Sequence, residues 1–294
     1  MHVFVTGATG WVGSRVVEEL LAAGHQVDGL ARSAEKAAPR AGEGMTVVQG
    51  TLDDERVLLD SAGKADAVIH TAFNHDFSNY AASVAQDRRA IEVLGKALAG
   101  KPMLVTSGIA GLRGDGQPAV EEDKPGPSYP RQSEAAADAV REAGGKVATV
   151  RLPPTVHGVG DAHGFVPHLI RLARRSGVSA FPGDGQNRWS AVHRDDAARL
   201  FRLALERGVT EKVYHAVAEP GVSTREIAEA IGEHLQLPVE SRPAEHFDWL
   251  AMFAGLDMAG DSRQTQSALG WQPTGPTLIE DLTRPAYYAS ASEA

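Results

Sequence analysis

Short apolar, β-branched runs recur along the first half of the chain and alternate with longer stretches of helical period. His2–Thr6 predicts a buried strand and Gly13–Ala23 a helix. Gln26–Ala31, Met45–Gln49 and Ala67–Thr71 predict three further strands. A helix over roughly Asn79–Ala99 and a strand at Met103–Thr106 follow, then a helix over about Gln132–Ala143 and a strand over about Val147–Leu152. Strands separated by helices imply parallel βαβ units that cross over right-handed. The strands are short and alternate little, as in a sheet covered on both faces.

After Arg151 the pattern changes to loops rich in Gly, His and Pro, with helices expected near Phe165–Ser176, Asp195–Glu206 and Thr224–Leu235. Leu269-Gly270-Trp271-Gln272-Pro273 precedes a short terminal helix, and the Ala/Ser tail beyond Pro285 is expected to fray. The polar stretch Gly111–Pro127 reads as a rim loop. The expected class is α/β, a Rossmann-type doubly wound parallel sheet with a smaller C-terminal substrate lobe. Residues 1–156 would form the dinucleotide-binding domain, with 190–217 returning to it, and 157–189 with 218–294 the lobe.

Two features of composition narrow the function. A net charge of −9 over 294 residues argues against nucleic-acid and anionic-membrane partners, which need clustered Lys and Arg. Cysteine is absent, which removes disulfides, thiolate catalysis and Cys-ligated metal centres. No apolar run approaches the roughly 20 residues of a membrane span, and because strand-like residues begin at His2 no signal peptide is expected. A cytoplasmic protein acting on a small molecule is the expectation.

Candidate chemistry concentrates at the first strand–helix junction, Thr6-Gly7-Ala8-Thr9-Gly10-Trp11-Val12-Gly13. A strand precedes it, a helix follows, and a second strand comes about 20 residues on, which is the context a dinucleotide-binding turn requires. Gly7 permits the tight turn, Gly10 lets backbone approach a pyrophosphate, and Gly13 lets helix pack against strand. The helix N–H groups then face the phosphates, so Thr9, Trp11 and Val12 join the glycines as cofactor-binding positions. The second strand ends in Leu30-Ala31-Arg32-Ser33, with no carboxylate at its tip to accept from the ribose of NAD. Asp28 lies earlier, mid-strand. Arg32 offers a planar cationic fork and Ser33 a hydroxyl, both suited to a 2′-phosphate, so NADP is expected ahead of NAD.

Further phrases then line up in order. Gly50-Thr51-Leu52-Asp53, Val68-Ile69-His70-Thr71-Ala72, Val105-Thr106-Ser107-Gly108, Val156-His157-Gly158, Ala191-Val192-His193-Arg194-Asp195-Asp196-Ala197 and Leu269-Gly270-Trp271 with Pro273 all follow the glycine turn. On these motifs nearly the whole chain resembles the extended short-chain dehydrogenase/reductase superfamily, of the NAD-dependent epimerase/dehydratase kind. The resemblance implies that Thr51 and Leu52 lie beside the adenine. It implies that Thr71, Ala72 and Phe73 line the dinucleotide, and that Thr106 and Ser107 stand on the serine-bearing strand. It further implies a homodimer through the helices near Asn79–Ala99 and Gln132–Ala143.

The family's catalytic YxxxK is missing. Tyr129-Pro130-Arg131-Gln132-Ser133 puts Ser133 where Lys should stand, and aligning on the following alanines puts Glu134 there and Pro130 at the Tyr position. The chain thus resembles the atypical branch, which keeps the cofactor fingerprint without the standard tetrad.

Other groups must then supply the chemistry. Ser107, at a strand end, is the best-placed hydroxyl for a carbonyl that gains negative charge. Tyr129 and His75 are candidate proton donors, the first a phenol without an evident activator and the second an imidazole that titrates near neutrality. His157, in the family's Tyr position, is expected at the lip between lobes. Gly183-Asp184-Gly185 resembles the family's GDG loop, which implies Arg188 as a clasp for a nucleotide-sugar phosphate; Trp189, with Phe165, Phe181 and Trp249, would instead line an apolar pocket, with buried core the default reading for each. His157, His163 and His168 lack the spacing of a metal site, and no GxSxG elbow supports a serine hydrolase. The leading function is an NADP-dependent oxidoreductase acting on a small carbonyl or alcohol with a non-standard proton donor. A sugar-nucleotide epimerase or dehydratase and a non-catalytic NADP(H) sensor are the alternatives.

Overall fold

The computed structural model describes residues 1–294 except 34, 36–43, 77–78, 114, 127–128, 130 and 291–294. Seven strands form one sheet: β1 (His2–Thr6), β2 (Gln26–Ala31), β3 (Met45–Gln49), β4 (Ala67–His70), β5 (Pro102–Gly108), β6 (Lys146–Leu152) and β10 (Val213–His215). Their order is β10-β6-β5-β4-β1-β2-β3, and every pairing is parallel. The direction of winding reverses between β1 and β4, which opens a crevice at the carboxyl ends of those two strands. Open α/β sheets bind their ligands at such a crevice.

The alternation of each strand decides which helices cover which face. Val3 and Val5 of β1, Ala67 and Ile69 of β4, and Ala148 and Val150 of β6 share a core with helices α1 (Trp11–Ala22) and α6 (Arg194–Glu206). Phe4, Val68, Met103, Val105 and Val147 face the other way, into a core with α2 (Glu55–Lys64), α3 (Tyr80–Lys96) and α4 (Ser133–Glu142). Two-sided burial is why the strands read as continuous apolar runs. Ala90, Ala136 and Ala137, on the two helices read as a dimer surface, are buried in this second core.

A three-stranded sheet, β11-β9-β7, joins β7 (Thr155–His157), β9 (Arg188–His193) and β11 (Glu219–Ser223), and β8 (Ser179–Pro182) pairs with β12 (Val239–Arg242). With α5 (Phe165–Ser176) and α7 (Thr224–Leu235) they surround a separate apolar core that includes Trp189, Ile227, Phe247 and Leu278. Between β9 and β11 the chain returns to the large sheet through α6 and β10. Two motifs hold this return in place. The buried Asp196 accepts from Thr274 N and Gly275 N, while Trp271 Nε1 donates to the Asp196 carbonyl at 3.0 Å. Among the described residues no helix is long and apolar enough to cross a membrane.

Candidate functional site

At the β1–α1 turn, Gly7 holds φ +71°. A Cβ there would lie 2.7 Å from Ala72 N and 2.8 Å from Thr71 Oγ1, and one on Gly13 would overlap the Gly7 carbonyl oxygen. Both glycines are therefore required by the protein itself. Gly10 differs: it caps α1, is exposed, and a Cβ on it would meet only Gly7 O, at 3.2 Å. The first turn of α1 carries no acidic residue and no side-chain cap, so the positive end of the helix is not neutralised from within the chain. Thr71 closes the turn from β4, its Oγ1 donating to Thr6 O at 2.8 Å.

The remaining cofactor positions take varied places. Arg32 is exposed just past β2, followed by the half-buried Ser33. Asp28 is held by His2, Nε2 to Oδ1 at 3.0 Å. Thr51 turns on itself, its N and Oγ1 donating to Asp54 Oδ2 at 2.6 and 2.9 Å, and Leu52 packs on the second core. Val12 packs on the first core. Trp11 directs its indole away from the turn: Nε1 donates to Val156 O at 2.8 Å, and the Arg194 guanidinium lies 4.0 Å over the ring.

The carboxyl end of β5 brings the candidate chemistry together. Ser107 is 2% exposed, and its hydroxyl has no hydrogen-bond partner among the described residues; the same holds for the Thr106 hydroxyl. The Thr106 carbonyl accepts from Arg131 Nη2 at 3.2 Å. Arg131, which no motif marked, stacks 4.3 Å above the Phe73 ring, and Phe73 meets His75 edge to face at 5.2 Å. Burial, then the Arg131 charge, holds the His75 imidazole below its usual pKa, so it is a neutral ring at pH 7. Burial pushes the Tyr129 phenol up to about 12, against the pull of Arg131. The phenol thus keeps its proton, as a donor must.

Behind Arg131 runs a buried polar chain. Arg131 Nε donates to Ser133 Oγ at 2.9 Å, and Ser133 Oγ donates to Asp87 Oδ2 at 2.5 Å. Asp87 Oδ1 lies 3.0 Å from His70 Nε2, and His70 Nδ1 lies 2.8 Å from Thr6 Oγ1. Ser133, Asp87, His70 and Thr6 are each at most 1% exposed. Glu134, at the alternative Lys position, is committed to the buried Arg151, whose Nε and Nη2 meet its two carboxylate oxygens. Pro130 lies outside the described residues.

The three expected substrate contacts sit in buried or ion-paired surroundings. His157 is fully buried, not at a lip: Nδ1 stands 2.7 Å from Asp281 Oδ2 and Nε2 3.6 Å from Glu219 Oε1. Burial alone would lower its pKa, but the hydrogen bond to Asp281 and then the nearby Glu219 carboxylate outweigh it and raise the value. Arg188 donates from Nε and Nη2 to Asp257 at 3.1 and 2.6 Å, with Nη2 also 2.8 Å from Gly116 O, so its fork is taken. Trp189 is 1% exposed and packs edge to face on Phe165 at 5.5 Å. Phe181 is buried, while Phe165 and Trp249 keep partly open edges on the lobe core. Among the described residues no group of three His, Cys, Asp or Glu side chains could hold a metal.

Comparison with known proteins matches residues 3–217 to the NAD dependent epimerase/dehydratase family. The chain is 46% identical to an uncharacterized protein of Schizosaccharomyces pombe, covering 98% of this chain and 100% of that one. It is 41% identical to one of Saccharomyces cerevisiae, over 96% and 98%. A 3-diazoavenalumate denitrifying reductase of a Streptomyces species is 29% identical over 97% of this chain and all of its own. Among solved structures, dTDP-glucose 4,6-dehydratase of Streptomyces venezuelae, with NAD bound, superposes with a TM-score of 0.80 at 21% identity, covering 98% of this chain and 96% of that one. The chain belongs to the NAD dependent epimerase/dehydratase family.

Proposed function

We propose that the protein is an NADP-dependent oxidoreductase that reduces a small carbonyl, or oxidises the matching alcohol, through a proton donor other than the usual Tyr–Lys pair. The observation that carries this reading is the buried, unpartnered Ser107 hydroxyl at the strand end beside the switch-point crevice. A buried hydroxyl without a partner is costly unless a ligand satisfies it. The crevice also fits a dinucleotide: the Gly7–Gly13 turn leaves Gly10 exposed at an uncapped helix end, where phosphate is favoured. Gly7, Thr9, Gly10, Trp11, Val12 and Gly13 would hold the pyrophosphate, chiefly by backbone, with Thr51 and Leu52 beside the adenine. Thr71, Ala72, Phe73 and Thr106 would flank the nicotinamide half. NADP over NAD is supported by Arg32, exposed at the strand tip, and by the engagement of Asp28 with His2.

A bound reduced dinucleotide supplies the hydride that forms the new C–H bond as the carbonyl π pair moves to oxygen. Ser107 Oγ donates to that oxygen, and its hydrogen bond strengthens as charge develops. Tyr129 holds its proton at neutral pH and passes it to the alkoxide, whereas His75, kept neutral, orients the loop. The reductase relative supports this direction of chemistry. The sugar-nucleotide reading is weakened by Arg188, whose fork is filled by Asp257. The test is NADPH consumption against a panel of aldehydes, ketones and imines, with parallel titration of NADPH and NADH. Turnover with at least one carbonyl and tighter NADPH binding are expected. NADPH binding without any turnover would favour the sensor reading instead.

A further inference from the structure

The absent lysine leaves an electrostatic gap at the reacting centre. A carbonyl that accepts hydride becomes an alkoxide, and a phenol that gives it a proton becomes a phenolate. Both steps place negative charge where Tyr129 is already pushed up to about 12 by burial. A compensating cation is needed close to that charge and fixed before it forms, since preorganised charge acts without reorganisation cost.

Arg131 meets both conditions. Three contacts fix it: Nε to Ser133 Oγ at 2.9 Å, Nη2 to Thr106 O at 3.2 Å, and the guanidinium plane 4.3 Å over Phe73; Asp87 in turn holds Ser133 at 2.5 Å. Thr106 immediately precedes Ser107, so the cation is anchored on the strand that bears the candidate hydroxyl. No described residue accepts from Nη1, and that nitrogen is not among the buried unpartnered atoms. Its charge opposes the ionisation of His75 and favours that of Tyr80 and Tyr129. A guanidinium does not give up its proton in proteins, so the buried chain behind it cannot relay one through it. The chain Thr6–His70–Asp87–Ser133 instead orients the group and balances its charge.

We propose, resting on the oxidoreductase reading above, that Arg131 takes over the electrostatic task of the missing lysine. From its anchor on Thr106, Ser133 and Phe73 it supplies the positive charge against which the substrate oxygen, and then Tyr129, become negative. The balance is simple: hydride from the reduced dinucleotide forms the C–H bond, the π pair becomes an oxygen lone pair, and the Tyr129 proton completes the alcohol. Solvent then reprotonates Tyr129.

The test compares wild type with Arg131→Gln, Arg131→Lys and Arg131→Ala, the last with and without millimolar guanidinium chloride. With a carbonyl substrate, Arg131→Gln should lower kcat about 10²-fold while KM and the NADPH Kd move less than about threefold. Arg131→Lys should keep an intermediate rate, and guanidinium should restore part of the Arg131→Ala turnover. Independently of turnover, NMR titration should show the His75 pKa rising in Arg131→Gln, because a facing cation has gone; Asp87, the other charge bearing on His75, stays in place. Thermal melts identify any variant that fails to fold, and Arg131→Lys is then the comparison that decides. An unmoved His75 titration, or full turnover in Arg131→Gln, overturns the proposal. A wild type that reduces no carbonyl refutes the oxidoreductase reading, whereas the His75 titration still reports whether Arg131 sets the field.

Discussion

Single residues divide into those whose chemistry is visible in the sequence and those whose role depends on distant partners. Ser107 is of the first kind: a serine at a strand end beside the switch point, its hydroxyl unpartnered among the described residues. Ser107→Ala should lower kcat roughly 10²-fold with the NADPH Kd unchanged, and steady-state kinetics with equilibrium titration check both halves. Arg32→Ala should erase the preference for NADPH over NADH at a cost of up to ~3 kcal/mol; equal affinities already in the wild type would remove the claim. His215 is of the second kind. It is buried, its Nε2 accepts from Arg151 Nη1 at 3.0 Å, and its Nδ1 donates to Asp261 O at 2.8 Å. Burial, then the Arg151 charge, lowers its pKa to about 4. The unfolded ring titrates near 6.5, so the unfolded chain binds more protons between these values and this share of stability falls as pH drops through that window. His215→Gln keeps an acceptor and a donor. Urea denaturation should show its stability losing less than that of wild type between pH ~7 and ~4.5, by on the order of 2 kcal/mol; identical losses would contradict the assignment. His157 shows why such roles were illegible: the carboxylate that buries it, Asp281, lies 124 residues away. Arg131 was missed because its role comes from stacking on Phe73 and reaching Thr106, not from a motif.

At the scale of elements, six of the seven strands of the large sheet were legible because burial on both faces writes itself as apolar runs, whereas the three-residue β10 was not read as a strand. β1, β2 and β3 fall where the runs predict, and β5 extends to Pro102–Gly108. α2 escaped notice because Glu55–Lys64 buries only Leu58, Ser61 and Ala62, too narrow a stripe to stand out in a ten-residue helix. The lobe strands escaped because they are short and find partners far along the chain, as β9 does with β7 and β11. The glycine turn separates fold from function within one element. Gly13→Ala forces a Cβ onto the Gly7 carbonyl and should cost about 1–3 kcal/mol or more. Gly10→Ala has ordinary φ (−76°) and only Gly7 O to displace. It should melt near the wild-type temperature yet bind dinucleotide far more weakly, because the added methyl occupies the face a pyrophosphate must approach. Calorimetry and titration on the pair check this, and undiminished affinity in Gly10→Ala would remove the phosphate from this turn.

At the scale of the whole molecule, the second half of the chain is built to hold the first. Arg151, fully buried in β6, bonds Glu134 on one side and the carbonyls of Val120, Glu121 and Asp123 on the other, fixing part of the stretch read as a rim loop. Glu121 in turn accepts from Thr265 at 2.6 Å, so loop, sheet and C-terminal segment share one buried network. Such a network is stable only while each charge keeps its partners. Outside this network, at the carboxyl end of β5, the buried Thr106 and Ser107 hydroxyls have no partner among the described residues, with Arg131 anchored on the Thr106 carbonyl beside them. The central claim is that hydride passes at this place between a dinucleotide and a carbonyl. Incubating the purified protein with NADPH deuterated at the transferable position, then analysing a carbonyl panel by mass spectrometry, tests it directly. The expected result is one deuterium on the former carbonyl carbon of at least one product, formed roughly 10²-fold more slowly in Ser107→Ala. Bound, unconsumed NADPH with no deuterium in any product would contradict it.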